Sequence, residues 1–171
     1  MFIDFLLNIA LIISGIYLFY RIQFFEEKKI VETGLFQTLL MTTLAILTML
    51  VPFSTADGEI ALYFIPLLLL GAYNSFIYGL VSALIVFFFY FYIFELSLGP
   101  FIVFSILYLI FLMAAPFFQK ITHTKLVIVN LIFTSLYAIV INQLFYNISF
   151  MTGIILLVAT SVIIFTAHIM Y

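Results

Sequence analysis

The chain has 171 residues, of which 68% are apolar, 20% aromatic and 7% charged, with five basic and seven acidic residues and a formal net charge of −2. A soluble domain carries about 25% charged residues, so a water-dispersed globule is excluded. Five basic residues are too few to track a nucleic-acid backbone, and the absence of cysteine excludes disulfides and thiolate metal sites.

The solvent these residues fit is the lipid bilayer. A hydrocarbon core of about 30 Å takes roughly 20 apolar residues per helix, so the expected fold is all-α, a polytopic membrane bundle of six to seven transmembrane helices. The opening Met1-Phe2-Ile3-Asp4 lacks the positive start of a signal peptide and no small-residue cleavage site follows. The first apolar run, from about Phe2 to Tyr20, therefore reads as a retained helix ending at Arg21. Residues 21–33 are the most charged stretch and belong outside the hydrocarbon. Helix two is expected over about Gly34 to Val51, stopped by Pro52, before a short acidic loop with Asp57 and Glu59.

From Ile60 to Phe94 there are 35 residues without a charge. One helix of that length measures about 52 Å, too long for one crossing, so the segment folds back at Gly71-Ala72-Tyr73-Asn74-Ser75. Helix three then covers about 60–72, short enough to be re-entrant, and helix four about 75–94. Leu98-Gly99-Pro100 reads as a turn, helix five as about Phe101 to Phe118, and helix six as about Leu126 to Phe145. Helix seven runs from about Met151 to Tyr171 and lacks a charged anchor, so the chain reads as the front part of a longer protein.

The fold-back puts all five basic residues (Arg21, Lys28, Lys29, Lys120 and Lys125) on one face, which the positive-inside rule makes cytoplasmic. The N-terminus is then outside and the C-terminus cytoplasmic. Tyr17, Tyr20, Tyr90 and Tyr92 fall at interface depth.

Few residues carry chemistry. Ser75, Gly79 and Ala83 recur every fourth residue on helix four, and Gly153, Thr160 and Ala167 every seventh on helix seven. Such stripes allow close helix packing within the chain or in a homodimer. Asn8 on helix one, Asn74 at the hairpin turn, and Ser135, Asn142 and Gln143 on helix six are polar groups in lipid, expected to pair across helices or to line a small-ligand pocket. Asp57, Glu59 and Glu95 form an extracellular acidic rim that would favour a neutral or cationic ligand. His168 falls near the cytoplasmic end of helix seven, where a pH-sensitive role competes with a plain interfacial one. His123 has no ligating neighbour in sequence, so no metal is expected. No nucleophile elbow, phosphate loop or carboxylate pair is present, so no catalytic site and no cofactor are expected. The Asn147-Ile148-Ser149 triplet matches a glycosylation sequon, a pattern common by chance.

The opening NIALIISGIYLFYRIQFFEEKK and the stretch ADGEIALYFIPLLLLGAYNSFIYGLVSALIV resemble the LytS-type five-transmembrane receptor domain, 5TMR-LYT, and more closely the membrane region of a staphylococcal GGDEF-domain protein. The run from Tyr17 and Tyr20 to Arg21 and Gln23 and the hairpin motif carry most of the likeness. Asp57-Gly58-Glu59 lacks the basic residue that many members place there, and Gly71-Ala72 stands where they have Gly-Pro. The resemblance implies a multi-pass sensor of the bacterial cell membrane, residues 1–171 forming a single input domain for a cytoplasmic GGDEF or kinase output. GGDEF outputs imply cyclic di-GMP signalling and biofilm control, with any catalysis in that further domain, and LytS-type receptors imply cell-wall regulation. The alternatives are a small-solute-binding protein like the S-components of vitamin uptake, and a membrane scaffold.

Overall fold

The computed structural model describes residues 2–27, 33–55, 58–94, 98–118, 120, 123–141 and 150–170. Seven helices follow one another: α1 (Phe2–Glu27), α2 (Thr33–Leu50), α3 (Phe64–Tyr73), α4 (Phe76–Phe94), α5 (Leu98–Phe118), α6 (His123–Ile141) and α7 (Phe150–Met170). Between α2 and α3 lie two short strands, β1 (Phe53–Thr55) and β2 (Gly58–Ile60), paired antiparallel with Ser54 opposite Glu59. The protein is a helical bundle, and this hairpin is its one departure, among the described residues, from the expected all-α fold.

Contacts along the helices fix their directions. Asn8 bonds to Val51 and Gly15 faces Leu44, so α1 and α2 are antiparallel. Thr42 pairs with Ser82, and Asn74 just ahead of α4 bonds to Gly34; the two pairs have the same offset, so α2 and α4 run parallel with α3 returning between them. Gly79 faces Leu112 and Phe87 meets Phe104, which sets α5 antiparallel to α4. Phe104 meets Tyr137 and Phe111 meets Phe133, which turns α6 back again. α7 packs along α6 and α1.

The bundle therefore has two distinct ends. At one, Asn8 meets Val51 and the hairpin lies against α1. At the other, Phe19, Tyr20 and Tyr73 meet edge to face, and Asn74 reaches the start of α2. Arg21 at this second end is exposed, as are Lys120 between α5 and α6 and Lys125 in the first turn of α6; the helix directions bring this junction to the same end.

Several boundaries differ from the sequence reading, each for a local reason. α1 runs on to Glu27 rather than stopping at Arg21, because the residues after Tyr20 include good helix formers and no glycine or proline breaker. α5 begins at Leu98, since Pro100 falls in the first turn, where its missing N–H costs nothing. α3 begins at Phe64 rather than Ile60, because residues 58–60 are taken by the second strand of the hairpin. α3 is consequently about 15 Å long at 1.5 Å per residue, half a bilayer. All its residues from Phe64 to Ala72 are buried. It is surrounded by α2, α4, α5 and α6 and forms the axis of the core.

The outside of the bundle is apolar and the inside holds the polar groups. Ile3, Leu39, Leu84, Phe88, Met113 and Phe165 are exposed, while Asn8, Gln37, Thr42, Thr48, Ser82, Asn130, Thr134 and Thr160 are buried. A water-soluble bundle has the reverse pattern; this one suits a solvent of lipid chains. Among the described residues one helix stretch, Ile3–Ile22 with mean hydropathy 1.9, is long and apolar enough to cross a bilayer by length and composition. The apolar stretches Gly34–Leu50, Phe76–Tyr92 and Ile102–Phe117 are shorter. Among the described residues, then, one helix meets this criterion, where the sequence reading expects six to seven spans.

Candidate functional site

Asn8, Gln37, Thr38, Thr42, Thr48 and Ser82, among the polar groups inside the bundle, form a seam along α2. In α2, Thr38 Oγ1 donates to the Gly34 carbonyl at 2.6 Å, and Thr42 Oγ1 lies 2.6 Å from the Thr38 carbonyl and 2.7 Å from Ser82 Oγ on α4. Thr48 Oγ1 donates to the Ala45 carbonyl at 2.8 Å. Back-bonding of this kind satisfies a hydroxyl within its own helix and leaves it able to bridge a neighbour. The Thr42–Ser82 pair is such a bridge, linking α2 to α4.

Each end of the seam is closed by an asparagine. At the hairpin end, Asn8 is fully buried and donates through Nδ2 to the Asp4 and Val51 carbonyls. Val51 closes α2 ahead of Pro52, so Asn8 satisfies a carbonyl that the helix end leaves without an intrahelical donor. At the basic end, Asn74 Nδ2 lies 3.3 Å from the Gly34 carbonyl and 3.3 Å from Gln37 Oε1, and its Oδ1 accepts the Ser75 N–H at 3.0 Å. Asn74 therefore ties the α3–α4 turn to the start of α2. The two asparagines sit at opposite ends of a helix about 26 Å long, so they do not line one pocket.

Of the other pocket residues, Ser135 on α6 is half-buried, and Asn142 and Gln143 lie outside the described residues, as do Asp57 and Glu95 of the acidic rim. Glu59 is in β2, paired with Ser54. The small residues of α4 divide: Ser75 is exposed, whereas Gly79 and Ala83 are buried, and a Cβ on Gly79 would stand 2.5 Å from Leu112 of α5. That glycine is used for packing within the chain. On α7, Gly153 faces open space while Thr160, two turns further along the same face, is buried; the Ala167 side chain lies outside what is described.

Around α3 the core is aromatic. Tyr137 packs on Phe64 at 4.4 Å and on Phe104 at 4.8 Å between ring centroids, and its hydroxyl lies 3.1 Å from that of Tyr63. Tyr108 donates to the Leu67 carbonyl at 2.9 Å. A crevice bordered by Leu68, Phe104, Tyr108, Phe133 and Tyr137 has room for about one water molecule, too little for a vitamin-sized solute.

Sequence reasoning passed over Asn130, Thr134, Gln37, Thr42, Thr48 and Tyr108. A signal for two of them was present: Asn130, Thr134 and Tyr137 follow the spacing i, i+4, i+7, the buried face of α6.

The chain is 40% identical over 87 residues to uncharacterized membrane proteins of Staphylococcus aureus strains USA300 and Mu50, and to one named for the llm 5'region of Staphylococcus aureus. The match takes in 50% of this chain and 24% of each relative, so the chain aligns with about a quarter of the length of these curated relatives. No family model and no solved structure matches. Taken with the apolar exterior, these relatives place the protein in the bacterial cell membrane.

Proposed function

We propose that the chain is a membrane-embedded sensory input module, in which an extracellular or membrane cue changes the seating of α7 and α7 passes that change to a cytoplasmic GGDEF or kinase output. The observation that carries the reading is the placement of α7. The helix packs at the side of the bundle on α1 and α6, while α3 forms the axis of the core. A peripheral helix of this kind can shift without dismantling the packing around α3, which is what a population shift between two states requires. The likeness to 5TMR-LYT receptors in residues 8–29 and 56–86 supports the same reading. A solute-binding role is less well supported, since Asn8 and Asn74 are far apart and both engaged.

In this reading the end that carries Arg21, Lys120 and Lys125 faces the cytoplasm, and the hairpin end faces out. Because the chain has no cysteine, single cysteines report sidedness directly. Lys120→Cys is expected to resist a membrane-impermeant maleimide in intact cells and to label fully in inverted vesicles. The opposite pattern reverses the orientation.

The function itself is tested by the coding sequence after the codon for Tyr171. Continuation into a linker and a GGDEF or kinase domain is the expected result. An immediate stop codon removes the output and overturns the reading.

A further inference from the structure

The groove between α5 and α6 is basic at one end. Lys125 lies in the first turn of α6, and Lys120 lies just beyond α5, its N–H donating to the Phe117 carbonyl at 3.2 Å. Both lysines are exposed, and neither has a carboxylate partner among the described residues. The contact of Phe111 with Phe133, 5.0 Å between ring centroids, fixes the register of the two antiparallel helices. From that pair Phe117 is about 9 Å along α5, and Lys125 about 12 Å along α6, toward the same end. The lysines therefore stand at one level, to within about one turn.

Further along the same groove is the crevice. Leu107 of α5 and Leu136 of α6 border it, and Leu136 is 46% exposed on the lipid-facing surface. The hydroxyls of Tyr108 and Tyr137 are engaged by the Leu67 carbonyl and the Tyr63 hydroxyl, so the walls are leucine side chains and aromatic rings. A buried water needs polar partners; a space of that size with such walls suits the methyl end of a hydrocarbon chain. Lys125, Val129, Ile132 and Leu136 follow i, i+4, i+7, i+11 and share one face of α6. Leu136 is about 16 Å from Lys125 along the helix, close to half of a hydrocarbon core of about 30 Å.

We propose that this groove holds one anionic phospholipid. Its phosphate lies at Lys120 and Lys125, one acyl chain follows α6 past Val129 and Ile132, and the chain end seats in the crevice. Charge selects the headgroup, because two lysines at one level favour a net negative lipid over a zwitterionic one. Length selects the chain, because the crevice lies at the depth where a chain anchored at the lysines ends. A free phosphate would engage the lysines and leave the crevice empty, whereas a phospholipid engages both. The proposal stands apart from the sensory reading: a stop codon after Tyr171 would remove the output and leave the lipid site.

The chain has no tryptophan, so a single introduced one reports the lipid beside it. Ile132→Trp puts the reporter on the groove, and Leu84→Trp on the outer face of α4 is the control; both positions are exposed. The full chain is reconstituted in phosphatidylcholine vesicles with a minor share of lipid brominated near the acyl-chain end, carrying either a phosphatidylglycerol or a phosphatidylcholine headgroup. Quenching of Ile132→Trp is expected to give phosphatidylglycerol a binding constant roughly fivefold or more above that of phosphatidylcholine, with no preference at Leu84→Trp. Lys120→Gln and Lys125→Gln are each expected to weaken the preference and together to abolish it. A Leu136→Trp reporter at the crevice is expected to show the same lysine-dependent preference. Equal quenching by the two lipids at Ile132→Trp overturns the proposal, as does a preference that survives loss of both lysines or is matched at Leu84→Trp. A preference at Ile132→Trp that is absent at Leu136→Trp overturns the seating of the chain in the crevice. Loss of the preference on adding inorganic phosphate at constant ionic strength assigns the lysines to a free anion instead.

Discussion

Tyr108→Ala is expected to destabilise the bundle by about 3 kcal/mol, and Tyr108→Phe by about 1 kcal/mol. Large-to-small aromatic substitutions in cores cost about 3–5 kcal/mol. The low end applies here, because a chain unfolded within the bilayer also surrounds its side chains with hydrocarbon, and the transfer part of the cost shrinks. What is lost is packing. Tyr108 is 2% exposed and stacks on Phe104 and Phe111, with ring centroids 5.7 Å and 6.4 Å away. Both of those rings belong to α5 itself; the Tyr108 hydroxyl, on the Leu67 carbonyl, is what joins α5 to α3, so a void here lies beside the axis of the bundle. The phenylalanine variant keeps the stack and removes the hydroxyl's bond to Leu67, together with its longer 3.5 Å approach to the Gly79 carbonyl; a bond between neutral groups is worth about 0.5–1.5 kcal/mol. Unfolding in a graded mixture of mild and harsh detergent gives both values. A Tyr108→Ala protein as stable as the parent would mean that α5 is held elsewhere.

The class of the protein is legible in composition alone, and the order of the helices follows from where charges, prolines and glycines interrupt the apolar runs. The turn at Gly71–Ser75 is legible for the same reason: Asn74 lies where α3 ends and α4 has yet to begin. Which side of each helix faces inward is not. In a soluble helix the apolar stripe marks the buried face, but here lipid-facing and core-facing residues are both leucine, isoleucine and phenylalanine, so periodicity carries little information. The inner faces are marked instead by polar residues. Thr38, Thr42, Asn130 and Thr134 are buried, and their spacing by four identifies the inner faces of α2 and α6. Asn8 and Asn74 were recognised as polar groups in need of partners. Their partners are backbone carbonyls at helix ends and Gln37, which no sequence pattern specifies. The hairpin at 53–60 was hidden because its residues read as an acidic loop, and it shortens α3 from its start.

Gly79→Leu is expected to cost more than 3 kcal/mol and to leave little folded protein, whereas Gly79→Ala costs about 1–3 kcal/mol. Leu112 of α5 fills a notch whose walls are two glycines. A Cβ on Gly71 of α3 would stand 2.8 Å from Leu112 Cδ2, and one on Gly79 of α4 would stand 2.5 Å from the same atom. The notch is therefore where α3, α4 and α5 approach most closely through backbone, the arrangement small residues permit in membrane bundles. Overpacking a well-filled site typically costs about 1–3 kcal/mol, which sets the alanine value, since the Leu112 methyl group can move by only part of what is needed. A leucine cannot be accommodated without parting α4 from α5, and the Tyr108 hydroxyl, 3.3 Å from the same position, blocks the other direction. Leu112→Ala empties the notch and costs stability by itself, but combined with Gly79→Ala it is expected to recover at least half of the loss due to the glycine substitution. That recovery separates a steric cause from any role of Gly79 in a contact between two copies of the chain, where shortening Leu112 would restore nothing. Thermal unfolding of the four proteins, followed by retention of the monodisperse peak in size-exclusion chromatography, measures it.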